Sequence, residues 1–144
     1  MCLYNCKPVK LRKDRIVYVV RRHTEGAITS PFQSNFEWEV GVTYIQEPPK
    51  NKLIREGVAI DKGFFHSFKL LENAKRLVAD SGYSGDNDYV VIYKAIIPHK
   101  SVLMQGRIDN MTKGSIGGHK NISYASNKLR LIERLRLKES TINN

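Results

Sequence analysis

Apolar residues recur at two periods along this chain, and the changes between them mark its elements. Over residues 63–81, GFFHSFKLLENAKRLVADS, Phe68, Leu71, Ala74, Leu77 and Val78 repeat at the helical period, with Lys69, Glu72, Asn73, Lys75 and Arg76 on the other side. A short aromatic strand running straight into an amphipathic helix is predicted there, with Ser67 as the cap and Ser81-Gly82 as the exit. Elsewhere the period is two or the run is continuously apolar. RIVYVVRR (15–22) and YVVIYKAII (89–97) predict central strands, and SVLMQGR (101–107) and residues 122–126 shorter ones. FEWEVGVTY (36–44) alternates throughout, with Phe36, Trp38, Val40, Val42 and Tyr44 on one face, and Leu53–Ile60 is a weaker strand. In KLRLIERLRLK (128–138) leucines alternate with Lys128, Arg130, Arg134, Arg136 and Lys138, although Glu133 falls on the leucine face and Ile132 on the basic one.

The expected fold is α+β: a bent, mixed or mostly antiparallel sheet of about six or seven strands with one main amphipathic helix. A chain of 144 residues accommodates one core. Residues 15–138 are assigned to it, between a basic irregular arm (1–14, kept from helix by Pro8) and a frayed tail (139–144). Residues 108–121, with three glycines, His119 and Lys120, form the longest loop and lack the spacing of a phosphate-binding P-loop.

Composition narrows the chemistry. With 41% hydrophobic and 26% charged residues the chain is expected to be globular and, lacking an apolar run of membrane-spanning length or a signal-type N-terminus, cytoplasmic. Cys2 and Cys6, which could pair only across a very short loop, are expected as free thiols in a reducing compartment, and with no second pair of ligands beside them no metal is predicted; nor is a cofactor. The 24 Lys and Arg against 14 Asp and Glu give a net charge of +10, a field that concentrates phosphate-bearing partners.

Candidate site residues follow from that charge. Arg21, Arg22 and His23 end the first predicted strand, and alternation lets Arg21 and His23 share a face while Arg22 takes the other. Arg107 and Lys120 are further phosphate ligands, His66 and Ser67 adjoin the predicted helix N-terminus, and Phe32, Phe65 and Tyr124 are stacking candidates. Ser126 and Asn127 are placed to read base edges or ribose hydroxyls.

The segments MCLY, SPFQ, GFFHSF, IIPHKSVLMQG and YASNKLRL together resemble a group of small proteins encoded by bacteriophages and prophages, over most of the chain. The resemblance implies a phage-type protein, and some phage proteins of this size and charge sequester immune nucleotides of the host. A weaker similarity is to the ADP-ribosyltransferase fold, which would cast Arg21 or Arg22, His66-Ser67 and Glu133 as its NAD-handling residues; that fold's Ser-Thr-Ser segment and ExE or QxE pair are absent. The leading expectation is a homo-oligomeric binder of a small anionic nucleotide, a cyclic oligonucleotide or NAD-derived signal, used against host defence. Its alternatives are a nucleotide- or RNA-cleaving enzyme, either ADP-ribosyltransferase-like or using two of His23, His66, His99 and His119, and a nucleic-acid backbone binder using the basic strand 128–138.

Overall fold

A computed structural model describes residues 4–29, 37–46, 65–81, 85, 88–107 and 122–136. In chain order they form β1 (Tyr4–Val9), β2 (Arg15–Thr24), β3 (Ala27–Thr29), β4 (Thr43–Ile45), β5 (Phe65–Phe68), α1 (Leu71–Ser81), β6 (Asp88–Ile97), β7 (Leu103–Arg107), β8 (Ile122–Ser126) and β9 (Lys128–Leu135). All nine strands belong to one sheet of order β1-β7-β8-β5-β2-β6-β9-β4, with β3 also on β2, and every described pairing is antiparallel. The expected α+β class with six or seven strands is therefore corrected to a mostly antiparallel β protein with one 11-residue helix among the described residues. The additional strands are short pieces without a readable period. β1 arises inside the expected irregular arm, and Pro8 is tolerated because β1 ends the strand order. β3 closes a hairpin through Glu25 and Gly26, both at positive φ (52° and 85°), the two-residue turn that suits the twist of paired strands.

The sheet curls. β8 and β9 are separated in sequence by Asn127 alone, yet β5, β2 and β6 lie between them. On a flat sheet four strand spacings of about 4.8 Å would part them by roughly 19 Å, which one residue cannot span. Asn127 ties the resulting corner: its side-chain oxygen accepts from the Val102 amide (2.8 Å), its amide donates to the Val102 carbonyl (3.1 Å), and its carbonyl accepts from Gln46 (2.8 Å).

Both faces are covered. On one, Val20, Val90, Ile92, Met104 and Ala125 pack against Phe68, Ala74 and Leu77, with Leu71 and Val78 at the margin, so Leu71, Ala74, Leu77 and Val78 form the helix's packed face as read, while Phe68, expected on the helix, is the last residue of β5. On the other, Val17, Val19, Tyr93, Ala95, Leu129 and Leu131 pack with Trp38, Phe65 and Tyr124. No helix among the described residues is long and apolar enough to cross a membrane.

Two expected elements differ. Residues 37–42 are not a strand: the Val42 amide approaches the Glu39 carbonyl (3.4 Å) around Gly41 at φ 88°, a turn that breaks the alternation and leaves Val40 and Val42 exposed. Only Thr43–Ile45 pairs, on β9, while Trp38 anchors its segment by donating its backbone N–H to Ile28 (2.7 Å). In β9, Glu133 pairs Lys94 and Leu131 pairs Ala95, so Ile132 is the extra residue of a bulge. That bulge explains the misplaced Glu133 and Ile132 of the leucine pattern. The expected strand at 53–60 and loop at 108–121 lie outside the described residues.

Candidate functional site

The site is built where β2 and β6 pair. His23 lies opposite Tyr89, Arg21 opposite Val91 and Val19 opposite Tyr93, all on the Trp38 face. Two tyrosines four residues apart on one strand thus flank the position facing Arg21. The bulge then brings in β9: Arg134 pairs Tyr93 and so joins the same face, with its guanidinium over the Tyr89 ring at 5.6 Å. If Ile132 took its own place in the ladder opposite Lys94, Arg134 would fall opposite Ile92 and project to the helix side.

Arg21 is the unusual member. It is 5% exposed, and its guanidinium lies 4.3 Å from the centre of the Trp38 ring. Trp38 is held edge-on by Tyr44 (4.7 Å) and Phe65 (5.1 Å), so the aromatic floor beneath the cation is rigid. Nη1 donates to the Val20 carbonyl at 2.8 Å, while Nε is sealed from solvent with no acceptor among the described residues. Burial draws its pKa down to about 9, which leaves it charged at neutral pH. The ion pairs among the described residues are Arg22–Asp88 and Lys94–Glu133, and neither reaches it. A buried charge left uncompensated costs several kcal/mol.

His23 lies between rings, stacked on Tyr89 (5.2 Å, 24°) and Tyr93 (5.8 Å, 13°), with Nε2 2.8 Å from the Tyr93 hydroxyl. Burial, and then the charge of Arg134, hold the imidazole pKa below 6.5, so it is neutral at pH 7. Burial raises the Tyr93 pKa against an opposing effect of Arg134, so the phenol keeps its proton. Together these groups present a sealed cation, a rim cation, a phenol donor and an imidazole that an anion would help to protonate. No family model, no curated protein and no solved structure matches this chain.

Of the residues singled out by sequence, Arg21 and His23 enter this cluster, and alternation had paired them. Arg22 faces the helix side, where Nε and Nη2 grip Asp88 at 2.7 and 2.6 Å. Phe65 is buried and supports Trp38. His66 and Ser67 are strand residues rather than a helix cap, because Lys69 and Leu70 separate β5 from α1. His66 pairs Ala125 on the helix side; Ser67 is buried opposite Tyr124. Tyr124 accepts a hydrogen bond from Arg15 (2.9 Å), Ser126 donates to the Lys128 carbonyl (2.9 Å), and Asn127 holds the corner. Arg107 pairs Ile122 at the end of β7, and Phe32 and Lys120 lie outside the described residues.

The alternative constellations do not converge. Arg21 and Glu133 are on opposite faces, and Glu133 lies 4.0 Å from Lys94. His23 is on the Trp38 face, His66 on the helix face, and His99 donates its backbone N–H to Asp14 in a turn. The basic stripe of strand 128–138 is divided by the bulge, with Arg130 paired to Ile96 on the helix side and Arg134 paired to Tyr93 on the other. Tyr89, Tyr93 and Arg134 were missed as site residues. The spacing of the tyrosines was visible, but their pairing with His23 and the bulge that turns Arg134 toward them are properties of the sheet.

Proposed function

We propose that this chain binds a small anionic nucleotide at the cluster of Arg21, His23, Tyr89, Tyr93 and Arg134. The observation that carries the reading is the sealed guanidinium of Arg21, charged, aromatic-backed and without a carboxylate among the described residues. A phosphate oxygen that reaches the guanidinium supplies the acceptor its Nε lacks, and the low local dielectric strengthens that contact. Arg134 on the rim and the Tyr93 hydroxyl complete an anion shell, while Tyr89 offers a ring face on which base stacking contributes about 1–3 kcal/mol. With the described histidines apart, the arrangement favours retention over cleavage. Taken with the resemblance to phage-encoded proteins, the proposed role is sequestration of a host immune nucleotide.

The test is titration calorimetry of the purified protein with AMP, cyclic di-AMP, cyclic GMP-AMP and NAD, followed by chromatography of the recovered ligand. The reading expects at least one to bind and return intact, with binding lost in Arg21→Met and kept in Arg22→Met. Equal binding by wild type and Arg21→Met, or conversion of the ligand, would overturn it.

A further inference from the structure

A second concentration of positive charge lies away from this cluster, in the turn between β1 and β2. Residues 10–16 line a cleft of about 450 Å³, and four of them, Lys10, Arg12, Lys13 and Arg15, are cationic against the single carboxylate of Asp14. Four like charges on seven residues repel one another, so a loose turn would spread them. This turn is pinned. Leu11, 6% exposed, anchors it in the core. Asp14 accepts the backbone N–H of His99 at 2.7 Å, which fastens the turn to the neighbouring one and brings Lys100 to the same region. Arg15 is held from below: it donates to the Tyr124 hydroxyl at 2.9 Å and lies 5.3 Å from the centre of that ring. The only acid of the turn is thus committed to its architecture, and none of the ion pairs among the described residues involves these cations.

From this pinned array we infer that the β1–β2 turn is a second anion site, for a run of closely spaced phosphates. The Lys10, Arg12 and Lys13 side chains are exposed and the cleft is bounded on one side by apolar Leu11 and Ile16. Such a surface neutralises successive phosphates without reading bases, and no aromatic platform among the described residues lines it. It is separate from the nucleotide cluster: Arg15 and Arg21 are six residues apart on β2, about 20 Å at ~3.3 Å per residue, with buried Val17 and Val19 between them. The phosphate run belongs either to a single-stranded nucleic-acid backbone or to a free oligophosphate.

Fluorescence anisotropy with a labelled twelve-residue oligothymidylate, at 50 to 200 mM KCl, decides the matter. Four phosphate contacts give a log–log salt slope of about −2.8, an affinity loss of about 50-fold over that range. The combined Lys10→Gln, Arg12→Gln, Lys13→Gln variant is expected to bring the slope to about −0.7, since one contact remains. Asp14→Asn, which keeps an acceptor for His99, is expected to tighten binding about two- to threefold, a gain that misfolding cannot produce. Arg21→Met should leave this binding unchanged, so its failure is separable from failure of the nucleotide site. Displacement of the oligonucleotide by micromolar tripolyphosphate identifies a free oligophosphate as the ligand; resistance to millimolar tripolyphosphate identifies the nucleic-acid backbone. Absence of binding to either probe, or an unchanged slope in the triple variant together with no gain in Asp14→Asn, overturns the inference.

Discussion

Arg21 concentrates the account into one side chain. A guanidinium sealed over Trp38 destabilises the unliganded fold, so an apolar residue of similar length should be neutral or better for stability. Arg21→Met is therefore expected to melt at or above the wild-type temperature while losing nucleotide binding, a combination that calorimetry and thermal denaturation read together. His23 predicts a pH effect. Its folded pKa is depressed below 6.5 by burial and by Arg134, so between that folded value and 6.5 the unfolded chain binds more protons and stability falls on acidification. The loss begins as pH drops through 6.5, and His23→Gln should flatten the melting temperature between pH 7.5 and 5.5; an unchanged profile would remove His23 from the account. Asp88 acts lower on the scale. Its hydrogen bonds from Arg22 hold its pKa below 3.8, so its stabilising effect is full above that value and is lost as pH falls from there through the folded value.

At the scale of elements, the helix and the long strands were legible because each carries its own period. Leu71, Ala74, Leu77 and Val78 form one face of the helix in sequence and in the fold, and Leu77→Ala should cost about 2–5 kcal/mol in a denaturant titration. β2 and β6 announced themselves as apolar runs buried on both faces. What hid from the sequence was set by single residues that interrupt a pattern. Gly41 turns the chain back within an alternation that reads as a strand, and Ile132 moves Arg134 from the helix side to the site. The register beyond the bulge yields a direct test: one alanine inserted between Glu133 and Arg134 puts Arg134 opposite Ile92, on the helix face, and withdraws Leu135 from the core. Nucleotide binding should be lost and stability reduced by about 2 kcal/mol or more. Asn127 was legible as polar but not as structural; because it closes the β8–β9 corner, Asn127→Ala should cost about 1–2 kcal/mol by the same titration.

For the molecule as a whole, the net charge of +10 pointed to anions but not to where they bind. The sheet supplies the locations, because pairing β2 with β6 and β9 assembles Arg21, His23, Tyr89, Tyr93 and Arg134 from three strands. A curled sheet whose neighbours are far apart in sequence cannot be read from local periodicity, which is why three of the five members of the cluster were invisible at that level. The claim that this cluster retains a nucleotide is tested most directly by native mass spectrometry of wild type and Arg21→Met, purified from bacteria that produce nucleotide immune signals. The wild-type protein should carry an adduct that denaturation releases as an intact nucleotide, and Arg21→Met should carry none. Wild type without an adduct, or the same adduct on both proteins, would contradict the account.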